Sequence, residues 1–456
     1  MVDQLAPRVE QSLGARVDIA SLVAFRVLFG GAMVVAVARF FAHGWIHEYT
    51  QVPTHFFSYW GFAWVRPWSG MGMHVHYALM GAAALSLMLG FYARASAASF
   101  GLLFAYAHLV DKTNYLNHYY FVVCTSALLA CMPSDGAWSV RAWIRPHDAC
   151  ETVPAWCVWM LRFQVGVVYF FGGVAKLNAD WLWHAQPLTI WLNANTEVPL
   201  IGPWLHLKSV AYAFSWAGAF YDLTIVGWLL WRKSRPFAYV AVVAFHLVTA
   251  RLFQIGIFPW IMIAASPIFF DPSWPRAMLG RLGVRRAGEL QLPDANEKNP
   301  ERLPVGLRIL MASYVVLQLL LPLRHLAYPG NMLWTEQGYR FSWNVMLMEK
   351  NGAIEMSVVD KRTGKTSVVD HSDYLTRYQT KMMSTQPDMI LQYAHMIFED
   401  HRARGIDVEV HADAWVSLNG RRPQRLVDPH VDLALEQDTL AAKSWILPFA
   451  ESQPEF

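Results

Sequence analysis

About nine stretches within the first 325 or so residues are apolar enough, and long or nearly long enough, to cross a bilayer, and nothing else constrains the fold so tightly. They fall at about 19–41, 77–92, 96–110, 117–133, 154–176, 208–231, 236–252, 256–270 and 305–324. Hydrocarbon offers no partner to a backbone N–H or C=O, so each such span is expected to be helical. Several fall short of twenty residues, which predicts that some tilt, pack inside the protein or merge. The chain is 55% hydrophobic and only 16% charged, well away from a soluble average, and the excess stops near Pro329. The expected fold class is a polytopic α-helical membrane protein of about nine spans over 1–328, followed by a small extracytoplasmic α+β domain over 329–456.

Orientation follows from basic residues, which favour cytoplasmic loops. Arg94, Arg141, Arg145, Arg232, Lys233, Arg235, Arg276, Arg281, Arg285 and Arg286 all fall on one side of a nine-span arrangement. The loops at about 42–76, 111–116, 177–207 and 253–255 carry far fewer, and the C-terminal domain emerges with them. The N-terminus is expected inside and the C-terminus outside. No short apolar segment with a small-residue cleavage site opens the chain, so the first span is expected to act as its own insertion signal. Trp45, Tyr59, Trp60, Trp64, Trp68, Trp181, Trp183, Trp191 and Trp204 lie in the outer loops. They suit an interfacial aromatic belt, or as a group the mouth of a pocket open to lipid. A net charge of +3 without a basic tract argues against nucleic acid. Cys124, Cys131, Cys150 and Cys157 have no zinc-like spacing and read as small hydrophobes of the membrane core.

Beyond the last span, Gly338–Lys350 and Ala353–Asp360 read as strands, with Lys361–Gly364 turning into a third near Ser367–His371. Residues 373–403 read as helical. Asp407–Leu418 alternates polar with apolar residues and meets Asn419-Gly420, a hairpin signal.

Three places carry chemistry. The string Asp111-Lys112-Thr113-Asn114-Tyr115-Leu116-Asn117-His118 interrupts two apolar runs. If helical, it puts Asp111, Asn114 and His118 on one face, suited to a polar head group or an anion. A capped helix end with a satisfied histidine has the same spacing. Lys176 closes the apolar run Val165–Ala175 on the side poor in basic residues. Lysines at helix ends commonly snorkel to water. If Gly172, Gly173 and Ala175 admit a second helix, however, the ammonium is desolvated, its pKa falls, and a neutral lysine is a competent general base. His246 lies inside a span, where an ionisable residue marks a functional site or hydrogen-bonds a neighbouring helix. His74 and His76 lack further ligands at a recognisable spacing, so no metal is expected.

Five stretches carry a resemblance over nearly the whole chain: DKTNYLNHYY, RFQVGVVYFFGGVAKLNADWL, LFQIGIFPW, FSWNVM and WVSLNGRRPQRLVDPHVDLA. In family order they resemble the vitamin K-dependent gamma-glutamyl carboxylases and their bacterial relatives, which share a horizontally transferred transmembrane domain. The resemblance implies a multi-pass protein of a bacterial inner membrane. It implies an enzyme that takes reduced vitamin K, an isoprenoid quinol, with O2 to the epoxide, and couples this to capture of CO2 by the gamma carbon of glutamate in an exported polypeptide. No metal is required. Lys176 takes the position of the lysine that starts the reaction as a weak base. Asn117 and His118 take that of the Asn-His pair near the quinone oxygen and the reacting centre. His246 matches a family histidine, and Tyr339, Ser342 and Trp343 fall in the segment associated with glutamate recognition. The chain departs from the animal enzymes at Ala175, Asn178, Thr249, Arg251 and Met348, and lacks their C-terminal extension and bridging cysteines. Quinol oxidation is therefore better supported than carboxylation. An epoxidase without carboxylation, and a transporter or receptor for a lipid or small molecule, are the competing readings.

Overall fold

A computed structural model describes residues 11–283 and 302–455, so Arg285 and Arg286, counted above among the inner-side charges, lie outside the described residues. Helices occupy all nine apolar stretches: α1 (Ala20–Ala42), α2 (Gly72–Leu89), α3 (Ala93–Leu109), α4 (Asn117–Cys131), α5 (Trp156–Ala175), then after the short α6 (Ala179–His184), α7 (Lys208–Leu230), α8 (Arg235–Leu252), α9 (Phe258–Ala265) and α10 (Val305–Leu320). Only five are long and apolar enough to cross a membrane: α1, α2, α5, α7 and the segment Val305–Ala327 that α10 begins. α3, α4 and α9 are shorter, and α8, as long as α2, is not apolar enough. The expectation of about nine spans therefore reduces to nine helical segments with five of spanning length among the described residues.

Two arginines show how helix ends are satisfied inside this bundle. Arg26 of α1 is fully buried and donates from Nη1 to Leu87 O and Met88 O, at 3.0 Å each, at the carbonyl end of α2. Arg162 of α5 likewise donates to Ile268 O at 2.9 Å and Phe270 O at 2.8 Å. Terminal carbonyls have no partner within their own helix, and a guanidinium supplies several donors at once. Two short strands, β1 (Arg16–Asp18) and β2 (Thr152–Pro154), pair antiparallel on the flank of the bundle.

α5 and α7 cross at Gly173, where an added Cβ would lie 2.8 Å from both Leu223 N and Leu223 Cγ. The close approach expected at the small residues before Lys176 thus occurs at Gly173. Gly173→Ala is expected to cost about 1–3 kcal/mol through overpacking. Gly227→Ala on α7, where a Cβ meets nothing within 4 Å, serves as the control in thermal unfolding of the detergent-solubilised protein.

The C-terminal sheet has the order β4-β3-β5-β6, all neighbours antiparallel, from β3 (Lys350–Asp360), β4 (Thr366–Val368), β5 (Val408–Leu418) and β6 (Gln424–Arg425). β5 buries alternate residues, so one face meets α11 (Arg377–Met383) and α12 (Pro387–Ala403). Pro387, at the first position of α12, splits the helix expected over 373–403, because a proline inside it would remove a backbone donor. Asn419 and Gly420 both take positive φ, as their hairpin signal requires.

The strand expected over 338–350 is a correction: residues 338–349 form no strand, and β3 starts at Lys350. Phe341, Trp343 and Met346 all have φ between +57° and +60°, which ends any pleat. Contacts to the helices hold this segment. Asn117 Nδ2 donates to Asn344 O at 2.6 Å, and Trp343 stacks on Tyr120 of α4 with ring centroids 4.9 Å apart. Trp343 belongs to the apolar core of the helices, whereas Trp181 and Ala219 join Met356, Ile390 and Val410 in the core of the sheet. The two parts are packed together rather than strung apart.

Candidate functional site

The site begins where α5 stops. Lys176 is the C-cap residue of α5, and Asn178 reverses the chain as the N-cap of α6. The Asn178 side chain accepts from Trp181 N at 3.0 Å and donates to Ala175 O at 2.8 Å, so one amide satisfies the end of one helix and the start of the next. This turn points Lys176 inward. The residue is 5% exposed, and its Nζ donates to Gly172 O at 3.2 Å and to Asp222 Oδ2 of α7 at 2.7 Å. The Trp181 ring lies 5.1 Å from Nζ. Snorkelling, one of two readings open from spacing, does not describe this lysine.

Lys176 and Asp222 form the polar edge of an apolar pocket whose other walls include Phe214, Phe245, Phe253 and Phe258. His246 also lines it, with Nε2 2.9 Å from the hydroxyl of Tyr169. Val345 and Met346 close it from the C-terminal part. The cavity measures about 70 Å³, which is small beside ligand sites of roughly 300–1,000 Å³. A ring-sized ligand therefore requires the walls to part. Val345 and Met346, borne on the irregular 338–349 segment, and Phe253 and Ile255, between α8 and α9, are wall residues outside the helices.

His118 is not among the residues lining this pocket. Its ring packs on Phe258 at 5.9 Å, and His246 packs on the same ring at 5.9 Å, so one wall residue contacts both histidines. The Asn117 carboxamide is engaged elsewhere, accepting from Tyr115 OH at 2.6 Å as it donates to Asn344 O. The common helical face expected for Asp111, Asn114 and His118 is corrected by the backbone. Asp111 is extended, Lys112–Asn114 is a single 3-10 turn, and Tyr115 and Leu116 are extended before α4 begins at Asn117. Asp111 instead caps that turn through Thr113 N at 2.9 Å and accepts from Gln379 of α11 at 2.8 Å. Asn114 ends the turn, half-buried.

On the other side of the Lys176 turn lies a larger cleft of about 590 Å³. Asn178 and His184 line it from the helical part, and Ser342, Asn344, Arg421 and Glu451 from the C-terminal part. Ser342 donates to Gly338 O at 2.6 Å, and Tyr339 donates to Asn344 O at 3.2 Å, so both brace the 338–349 segment. Residues 172–178 and 342–347 thus contribute to both cavities.

Two ionic clusters join the parts, one buried at this cleft and one partly exposed beyond it. Asp180 of α6 is held by both terminal nitrogens of Arg421 and, at 2.8 Å, by Asn419 Nδ2. Further out, Asp388 of α12 accepts from Lys112 at 2.7 Å and Arg340 at 2.8 Å, and Lys350 meets Glu336 at 3.0 Å. Burial pushes the Lys112 and Lys350 ammonium groups down, opposed by Asp388 and Glu336 respectively. Burial pushes Asp388 up, but Arg340 and Lys112 outweigh it and hold the carboxyl well below its ordinary 3.8. A depressed folded pKa adds stability that is present above that ordinary value and is lost as pH falls beneath it. The stability gap between wild type and Asp388→Asn, read by thermal unfolding, is therefore expected to be constant above about pH 5 and to narrow progressively as the pH falls below that.

Sequence reasoning missed Asp222, Tyr169 and the Asp180–Arg421 pair. A signal existed for the first, because Asp222 is the lone carboxylate in the apolar run of α7, where a charge demands a partner. The pairing of Asp180 with Arg421, 241 positions apart, leaves no local trace.

Comparison with known families returns two matches. The model described as the HTTM domain covers residues 15–274, more than half of the chain. The model described as vitamin K-dependent gamma-carboxylase, lumenal domain, covers residues 305–452. No solved structure matches the chain.

Proposed function

Because the chain belongs to the vitamin K-dependent gamma-carboxylase family, we propose that it is a multi-pass membrane enzyme that oxidises vitamin K hydroquinone with O2 to the epoxide. On this reading the energy released drives carboxylation of glutamate in an exported polypeptide with CO2. Residues 1–328 form the catalytic membrane part, and 329–456 lie on the extracytoplasmic side.

The observation that carries the reading is the lysine at the polar edge of an apolar pocket, 5% exposed and fixed by two acceptors. The residues present fit a quinol in kind. Aromatic walls suit the rings and isoprenoid tail, and Lys176, His246 and Tyr169 offer groups for the ring oxygens. Reduced vitamin K supplies the chemistry with O2 that generates a base strong enough to act on a carbon acid. Lys176 takes the hydroxyl proton through Nζ. His246, oriented by Tyr169, hydrogen-bonds the second ring oxygen. The phenyl walls keep water from the reacting centre. His118 and Asn117 act one layer out: His118 supports Phe258, and Asn117 fixes Asn344 at the border of the two cavities. The 590 Å³ cleft receives the glutamate-bearing segment, with Ser342, Tyr339 and Trp343 forming or bracing its inner border. Asp111 acts by holding the C-terminal part in place through Gln379, and Asn114 by ending the turn that Asp111 caps.

The purified protein in detergent, supplied with vitamin K hydroquinone, a glutamate peptide and labelled CO2, tests each half separately. Epoxide with label in the peptide supports the full reading. Epoxide without label reduces the protein to an epoxidase, and no epoxide rejects quinol oxidation.

A further inference from the structure

Asp222 has no role in the reading above, yet it is the group nearest the proposed base. Both side chains of the pair are buried, at 7% and 10% exposure, with Nζ to Oδ2 at 2.7 Å. Placing a carboxylate in an apolar helix is costly unless it is paired, and here a single lysine is its described hydrogen-bond partner. Its second oxygen accepts from no described residue, while Asp222 itself lines the pocket. The titratable groups facing the pair are Tyr169 on α5, Tyr221 on α7 and His246 on α8. The 343–346 segment brings none. A lysine already bonded to a carboxylate cannot accept a further proton while it is an ammonium, because its nitrogen has no lone pair. The pair as a unit can accept one.

We propose that Asp222 is the proton holder of the site, so that Lys176 and Asp222 together, rather than the lysine alone, form the base. This rests on the reading of Lys176 as the group that deprotonates the quinol. One Nζ–H bond breaks towards Oδ2 and an O–H bond forms on Asp222. The neutral amine so produced turns about its Cε–Nζ bond and takes the hydroxyl proton of the acid in the pocket. The acid is left as its oxyanion beside a restored ammonium. The pair goes from net zero to +1, and no electrons change hands. The positive charge then neighbours the oxyanion at the moment that anion forms, which stabilises it in a water-poor pocket.

Asp222→Asn keeps the shape and removes the proton acceptor. It is expected to lower kcat for epoxide formation by roughly 10²–10⁴-fold with KM for the quinol little changed. Asp222→Glu is expected to recover part of the loss. In parallel, the lysines are reductively methylated with 13C-formaldehyde, and the Lys176 methyl signal is assigned by its disappearance in Lys176→Arg. Its titration curve is expected to change between wild type and Asp222→Asn, as direct contact of the two groups requires, whereas a loss in kcat at unchanged KM and unchanged unfolding temperature is what a merely structural carboxylate would not give. Full kcat in Asp222→Asn overturns the proposal and leaves the lysine as a base acting alone. If wild type forms no epoxide, the quinol reading fails, and the methyl signal alone decides whether the pair shares a proton. An unchanged titration curve then overturns it.

Discussion

Lys176→Ala is expected to lower epoxide formation from vitamin K hydroquinone by about 10²–10⁴-fold, the range that a positioned acid or base commonly contributes. The effect should fall on kcat, because the aromatic walls that bind the ring system are untouched and KM reports them. Nothing else described in the pocket replaces the amine: His246 is bound to Tyr169, and Asp222 lies behind Nζ. The truncation also leaves Asp222 buried without its partner, at a cost of about 3–5 kcal/mol. Thermal unfolding must accompany the assay for that reason. Lys176→Ala combined with Asp222→Asn removes the stranded charge, so it should regain stability without regaining activity. Recovery of epoxide formation in that double variant would show that the loss came from misfolding and would remove Lys176 from the chemistry.

The second large effect is expected at the clamp between the two parts. Arg421→Ala strands the Asp180 carboxylate, which is 8% exposed and takes hydrogen bonds from both Arg421 and Asn419. Loss of one member of a buried pair costs about 3–5 kcal/mol. Here that energy is interfacial, since Asp180 stands on α6 and Arg421 follows β5. The cleft should loosen. Limited proteolysis between the helices and the sheet, together with a lowered unfolding temperature, reads the change directly. Adding Asp180→Asn should restore part of the stability, because an amide is cheaper to bury unpaired than a carboxylate. A variant as resistant to protease as wild type would mean that the Asp388 cluster suffices to hold the parts together.

How far the sequence carried the site varies residue by residue. Lys176 was legible because a charge on the side poor in basic residues had no topological reason to be there. His246 was legible for the same kind of reason, as an ionisable group at membrane depth. The face joining Asp111, Asn114 and His118 was misread, because helical spacing was assumed across a segment that Tyr115 and Leu116 hold extended. The 338–350 strand was misread because apolar alternation says nothing of the three left-handed residues that fasten this segment to the helices. Tertiary contacts overrode local propensity there.

By itself the sequence determined where helices form, since every backbone group in an apolar stretch of that length must be satisfied within its own segment. It also determined the pattern of the sheet, because burial on one face imposes a period of two. It placed Lys176 at the end of its helix. Only the tertiary structure decided what that lysine meets. The 2.7 Å bond to Asp222 depends on two helices closing at Gly173, and the cleft beyond it depends on Asp180 finding Arg421. Both are pairings between residues far apart in the chain, fixed by packing and by the cost of burying a lone charge rather than by any local preference.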